Sequence, residues 1–359
     1  MKGRKVMFCF KTKKALALCL CAITLSTCFT GCKANKSEQK TTTNNTSEKF
    51  TVSGDNLSLD TTIEKVPDSI DEVVVKPYKI DVEKTKDIFL DKAEKVSYDV
   101  PDNTKEYYQD KEGNQIRIDN KEGLYFTTEF YWNLMNCVRL DPRDEKYNGD
   151  KFLKDTDLDF MSREEAINVL LDKLELLGIQ LGDIEFSCYG LEHNTLEEEE
   201  YAEDVEGQED KSVYKDKWTK DDDCYYFVIR QKKNGIVEYH KYGGIMKNYE
   251  DCNSSIQAVV SKRGLESLDM ECALKIENTG KKVKIIQPQA VLDIVSNKYG
   301  KIIGTEKYTI NSFNLCYMSD LFNDNKVTPI YQCHMLEESD EGTRVEQLLI
   351  NAETGEEVQ

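Results

Sequence analysis

The sequence predicts an α+β fold in which antiparallel sheets are each packed by a helix, arranged as tandem α-β-β-β units. Three observations carry this. The chain has six prolines against 19 tyrosines, with many valines and isoleucines, a composition suited to strands. An amphipathic helical stripe followed by three strand-like runs lies between residues 162 and 242. The same order returns about 125 residues later.

The amino terminus is a separate matter. The first fourteen residues carry Lys2, Arg4, Lys5, Lys11, Lys13 and Lys14 and no acid, and a mostly apolar or small run follows from Ala15 to Cys28. That run is shorter than the roughly 20 apolar residues a membrane-spanning helix needs, and it fits the core of a signal peptide. It closes on Phe29-Thr30-Gly31-Cys32. This tetrapeptide resembles the bacterial lipobox, in which small residues precede a cysteine that receives a diacylglyceryl thioether. Thr30 and Gly31 match the small positions and Cys32 the acceptor, while Phe29 replaces the usual leucine. The expectation is a signal peptide over residues 1–31 and a lipid anchor on Cys32, which puts the rest on the outer face of a membrane. Residues 33–49 are polar apart from Ala34 and read as a flexible tether within a segment 32–55.

Removing residues 1–31, with six basic residues and no acid, takes the formal charge from −19 to −25. Such a charge repels nucleic acid, anionic lipid head groups and anionic wall polymers, and permits a basic partner. About 300 residues remain beyond the tether, enough for more than one lobe. Apart from Cys32 the mature part has seven cysteines, at 137, 188, 224, 252, 272, 316 and 333. The odd count, the lack of C-x-x-C and their place in strand-like runs favour mostly buried thiols over a disulfide framework.

Region 56–155 offers a short helix around Asp81–Leu90 and strands at Gln115–Asp119 and Leu124–Asn136, with a turn at 120–123 between those strands. Region 156–250 opens on Ser162-Arg163-Glu164-Glu165, a capping box. Ala166, Ile167, Leu170, Leu171, Leu174 and Leu177 then form a helical stripe that Gly178 stops. Strands are expected at Asp183–Leu191, Cys224–Gln231 and Ile236–Tyr242, the last two joined by Asn234-Gly235, a strong hairpin signal. Region 251–284 reads as a linking hairpin of Ser255–Ser261 with an unbroken alternation from Leu268 to Ile276. Region 285–359 repeats the first pattern. Pro288 opens a helix carrying Val291, Ile294, Val295 and Tyr299, Gly300 ends it, and strands follow at Tyr308–Met318, Pro329–Leu336 and Arg344–Ala352.

The ending Leu349-Ile350-Asn351-Ala352-Glu353-Thr354-Gly355-Glu356, with Val327-Thr328-Pro329-Ile330-Tyr331 before it, resembles the close of PepSY-type domains. The tandem arrangement also resembles YycH/YycI-type extracytoplasmic regulators of a cell-wall sensor kinase, although a lipobox stands here where the YycI type has a spanning helix. Val73-Val74-Val75-Lys76-Pro77, leading into a short helix, resembles uncharacterised lipoproteins of clostridia-like Gram-positive bacteria. These resemblances imply a non-catalytic envelope module that binds a protein or modulates a protease.

Chemistry-bearing motifs are sparse. His193, His240 and His334 have no second ligand at a metal-helix spacing, and neither a nucleophile elbow nor a phosphate-binding glycine loop occurs. Asp155-x-Asp157-x-Asp159 begins like a calcium loop but has Phe160 and Ala166 where glycine and a bidentate glutamate belong. These aspartates read instead as cover for the positive end of the following helix. No cofactor or metal is expected. The acidic insert 192–223 reads first as a solvated extension of a hairpin. The sharper expectation is a docking surface for a basic partner, with Glu197, Glu198, Glu199 and Glu200 as its charge and Tyr214 and Trp218 as anchors. Three roles stay open: a regulatory or scaffold module, a protease modulator, and a hydrolase whose acids come from distant strands.

Overall fold

The computed structural model describes residues 50–96, 105–119, 123–140, 146–204, 206–241, 256–270, 273–320, 326–340 and 342–358. The amino-terminal part contributes β1 (Leu57–Leu59), β2 (Ser69–Pro77), α1 (Val82–Phe89), β3 (Glu94–Val96), β4 (Lys105–Gln109), β5 (Gln115–Asp119), β6 (Gly123–Thr127) and α2 (Glu129–Leu134). The middle contributes β7 (Leu153–Lys154), α3 (Arg163–Leu177), β8 (Asp183–Leu191), α4 (His193–Glu199), β9 (Cys224–Lys233) and β10 (Ile236–Lys241). After these come β11 (Ile256–Ser261), β12 (Gly264–Asp269), β13 (Leu274–Lys284), α5 (Pro288–Tyr299), β14 (Lys307–Asp320), β15 (Lys326–Ser339) and β16 (Gly342–Asn351).

Local signals place the helices. Ser162 accepts from the Glu165 amide while the Glu165 carboxylate accepts from the Ser162 amide, and Gly178 closes α3 in the left-handed region at φ 80°. Ala166, Ile167, Leu170 and Leu174 go into the core, each of the larger three contributing roughly 1.5–3 kcal/mol by burial. Asp81 caps α1 by accepting from the Lys84 amide at 3.1 Å. Pro288 stands in the first turn of α5. Gly300 follows α5 with an ordinary right-handed backbone. What requires glycine there is close approach, since a Cβ at Gly300 would overlap the Ser53 carbonyl.

The strands form one large, mostly antiparallel sheet in the order β16-β15-β14-β10-β9-β11-β12-β6-β5-β4-β3, with β1 beside β14, β8 beside β9 and β7 beside β8. Helices α1 and α3 cover one face of its first half, where Ile116, Ile118, Phe126, Cys188, Phe227 and Ile229 join the core. Helix α5 covers the β14–β16 meander with Val291, Leu292 and Val295 against Ile310, Tyr331, Met335 and Ile350. The ribbon β2–β13 spans both cores. Tyr78, just past the end of β2, sits in the first, and Ile70 and Val73 of β2 sit in the second.

Three expectations are corrected. The run Leu124–Asn136 is strand only to Thr127, after which Thr128 bonds the Glu266 carbonyl through its amide and α2 begins. The alternation Leu268–Ile276 is two strands in two sheets, with β12 pairing β6 and β13 pairing β2. Strand β10 follows the Asn234-Gly235 turn, whose φ angles are 54° and 81°, but registers with β9 at only Ile236 and Val237. It then crosses to β14 and pairs in parallel from Val237↔Cys316 to Lys241↔Asp320. The place beside β9 that a third strand of the first unit would fill is taken by β11. The turn residues 120–122 lie outside the described residues.

Candidate functional site

The acidic insert is folded onto the body. Trp218 is 2% exposed and packs with Leu134, Cys137, Leu191, Leu196 and Val259. Its indole N–H donates to Glu200 at 2.9 Å, and the other Glu200 oxygen accepts from the Lys215 amide at 2.7 Å. Asn148 donates to Glu199 at 3.1 Å. Tyr214 is half-buried and donates to Glu209 at 2.7 Å; burial first, and then that bond, raises its hydroxyl to about 12. The expectation of Trp218 as a docking anchor is therefore corrected: an indole packed against apolar side chains has no face to offer a partner. Within the run 197–200, Glu197 and Glu198 face solvent. Phe29, Thr30, Gly31 and Cys32 lie outside the described residues.

Charge pairing fixes the insert. The buried Asp222 accepts from Lys215 at 2.7 Å and from the Thr219 amide at 2.9 Å. Burial alone would raise its carboxyl, but Lys215 and Thr219 outweigh it and hold the group below the ordinary value. Arg263 bonds Asp222 at 3.3 Å and the buried Glu266 at 2.8 Å. The result is a chain Lys215–Asp222–Arg263–Glu266 from the insert into the β11–β12 hairpin, in which every member has a partner, as buried charge requires. At the base, Leu191 pairs with Cys224, and Asp223 accepts from the His193 amide at 2.8 Å and meets its ring Nδ1 at 2.7 Å. Asp157 accepts from the first amide of α3 at 3.0 Å, and Asp159 pairs with Lys220 at 2.7 Å. Among the described residues no group of histidines, cysteines and acids is arranged to hold a metal ion.

The cysteines at 137, 188, 224, 316 and 333 are buried free thiols. Burial raises Cys188 to about 11 and Cys316 and Cys333 to about 12, which leaves them protonated and poor nucleophiles. Cys252 and Cys272 lie outside the described residues.

A cleft of about 730 Å³ opens where β10 departs from β9. Its walls are the outer positions of β8 and β9, the Asn234–Val237 turn, β14 from Phe313 to Tyr317, and the connection 62–67 between β1 and β2. Two ion pairs flank it, Lys232–Glu185 at 2.8 Å and Lys282–Asp71 at 2.7 Å. Arg230 is half-buried in the wall, directly across the ladder from Glu185. Glu185 goes to Lys232 instead, and among the described residues the Arg230 guanidinium makes no hydrogen bond or ion pair. A second cavity, of about 190 Å³, adjoins Arg230 and is lined by Met135, Tyr189, Tyr226 and Val228.

No motif in the sequence marks this cleft. The available signal was in Cys224–Gln231, where Tyr225, Phe227 and Ile229 are buried while Tyr226, Val228 and Arg230 are half-exposed. An outward strand face bearing an aromatic, a valine and an arginine is unlike a plain solvated one.

No protein-family model matches the chain, and no curated protein matches it. Among solved structures the chain is similar to an uncharacterised protein from Eubacterium rectale, with 17% identity and a TM-score of 0.60, covering 85% of this chain and 91% of that one. The fold is shared. The YpeB C-terminal domain of Bacillus megaterium also matches, with 14% identity and a TM-score of 0.25 over 74% of this chain and 86% of that one. That superposition is too loose to bear on fold or role.

Proposed function

We propose that this chain is a lipoprotein of the cell envelope, held by Cys32 on the outer face of a membrane, whose folded part binds another protein without doing chemistry on it. Basic start, short apolar core, Gly31-Cys32 and a polar tether, in that order, support the anchor. The observation that carries the binding role is the cleft between β8, β9, β10 and β14, which joins apolar lining to an arginine whose guanidinium has no hydrogen-bond or ion-pair partner among the described residues. Pockets of this build hold ligands by shape and a few placed polar groups.

The same reading makes residues 156–250 and 285–359 two PepSY-like units, with 56–155 before them and 251–284 between. Support for the second unit is α5 followed by the β14-β15-β16 meander and a turn in which Asn351 accepts from the Glu353 and Thr354 amides. Support for the first is the order α3-β8-β9.

Crosslinking on intact cells, followed by purification of the lipidated chain and mass spectrometry, tests the role. A reproducible envelope partner is the expected result. An empty capture with the protein intact and membrane-bound counts against a binding module and reopens the hydrolase.

A further inference from the structure

The cleft has an edge shaped for one more strand. Strand β15 covers one edge of β14 along its length, from Lys307↔Glu338 to Asp320↔Lys326. On the other edge β1 pairs in parallel as far as Leu59↔Ile310, and β10 pairs in parallel from Val237↔Cys316 onward. Between them, residues 311–315 of β14 pair on this edge with no described strand, and Phe313, Asn314 and Leu315 line the cleft. Five residues of strand span roughly 17 Å. After β1 the Asp60 amide still bonds the Ile310 carbonyl, and residues 62–67 line the cleft.

Charge says what kind of strand would fit. On a chain with a formal charge of −19 the cleft is lined by four basic side chains, Lys65, Arg230, Lys232 and Lys282, against three acids, Glu64, Asp71 and Glu185. Lys232 and Lys282 are neutralised by Glu185 and Asp71. Arg230 is half-buried, and among the described residues no carboxylate pairs with it. A guanidinium so placed is completed by an incoming carboxylate, which it can meet in a two-pronged bond.

We propose that the cleft receives an extended acidic segment of a partner protein, which pairs with the open edge of β14 and sets an Asp or Glu side chain against Arg230. This deepens the protein-binding reading and rests on it. Main-chain pairing supplies affinity and alternate side chains supply selection, as in other cases of strand addition. The cavity beside Arg230, lined by Tyr189 and Tyr226, takes an apolar side chain flanking the acid.

The test uses the full chain purified in detergent and fluorescent seven-residue peptides of alternating Val and Thr with Asp, Asn or Lys at the centre. Anisotropy is expected to show at least ten-fold tighter binding of the Asp peptide than of the Asn peptide, with the Lys peptide weaker still. Arg230→Gln is expected to erase the Asp preference and Arg230→Lys to keep part of it, both with unchanged thermal unfolding. N-methylation stepped along the Asp peptide is expected to weaken binding at every second position, the signature of one hydrogen-bonded edge. Equal binding of the three peptides, or an Asp preference that survives Arg230→Gln, overturns the proposal. Crosslinking in cells separates the two levels. A partner captured alike by the wild type and by Arg230→Gln, with no peptide binding, removes the cleft proposal and leaves the module. No partner and no peptide binding removes both.

Discussion

At the scale of single residues, two carboxyls with raised values, Glu238 and Asp269, predict how stability depends on pH. Glu238 on β10 is 3% exposed, and burial pushes its carboxyl up to about 8 against the opposing pull of the Ser319 hydroxyl. Burial pushes Asp269 up to about 6, with Arg117 pulling the other way. Each folded value lies above the unfolded one, so over the interval between them the native state keeps a proton that the unfolded chain releases. The contribution is therefore complete below about pH 4 and is lost as pH rises through 6 for Asp269 and 8 for Glu238, at up to about 1.4 kcal/mol per pH unit per group. Urea unfolding from pH 5 to 9 is expected to show falling stability, and Glu238→Gln is expected to flatten the part above pH 6. A variant slope equal to that of the wild type counts against this assignment. Trp218 gives a second prediction. Trp218→Ala removes a side chain 2% exposed in a closed cluster, and a loss of about 3–5 kcal/mol is expected from denaturant midpoints. Reversing the charges of the exposed Glu197 and Glu198 is expected to change neither stability by more than about 0.5 kcal/mol nor the captured partner.

At the scale of elements, what was legible was local. The Ser162 capping box, the Gly178 stop, the Asn234-Gly235 turn and Pro288 each act within a few residues, and each is found where the sequence put it. Pairing at long range was not legible. The alternation from Leu268 to Ile276 tells which side of a strand is buried, but not that Asp269 ends one sheet and Leu274 starts another. Nor does Ile236–Lys241 disclose that its partner lies some 80 residues on, at Cys316–Asp320. Trp218 and Glu200 misled for a related reason. Their charge and aromaticity are visible in sequence, whereas their mutual hydrogen bond and the cluster around the indole are made only in the fold. The α5 terminus carries a prediction of its own. Gly300→Ala would push a methyl into the Ser53 carbonyl, and a loss of about 1–3 kcal/mol is expected on thermal unfolding.

At the scale of the whole molecule, the anchor and the cleft belong to one account. The tether and lipid would hold the chain at a surface, and the sheet, made continuous by the crossing of β10 from β9 to β14, presents one arginine-lined cleft. Cys32→Ser is expected to move the protein from the membrane fraction to the medium without altering its unfolding, and retention in the membrane would contradict the anchor. The binding claim is tested most directly by photocrosslinking in living cells, from benzoylphenylalanine placed at the exposed Asn314 on the open edge of β14 and, separately, at the exposed Glu197 on the insert. The account predicts a discrete crosslinked partner from position 314, lost in Arg230→Gln, and none from position 197. A partner crosslinked from 197 and not from 314 would contradict it.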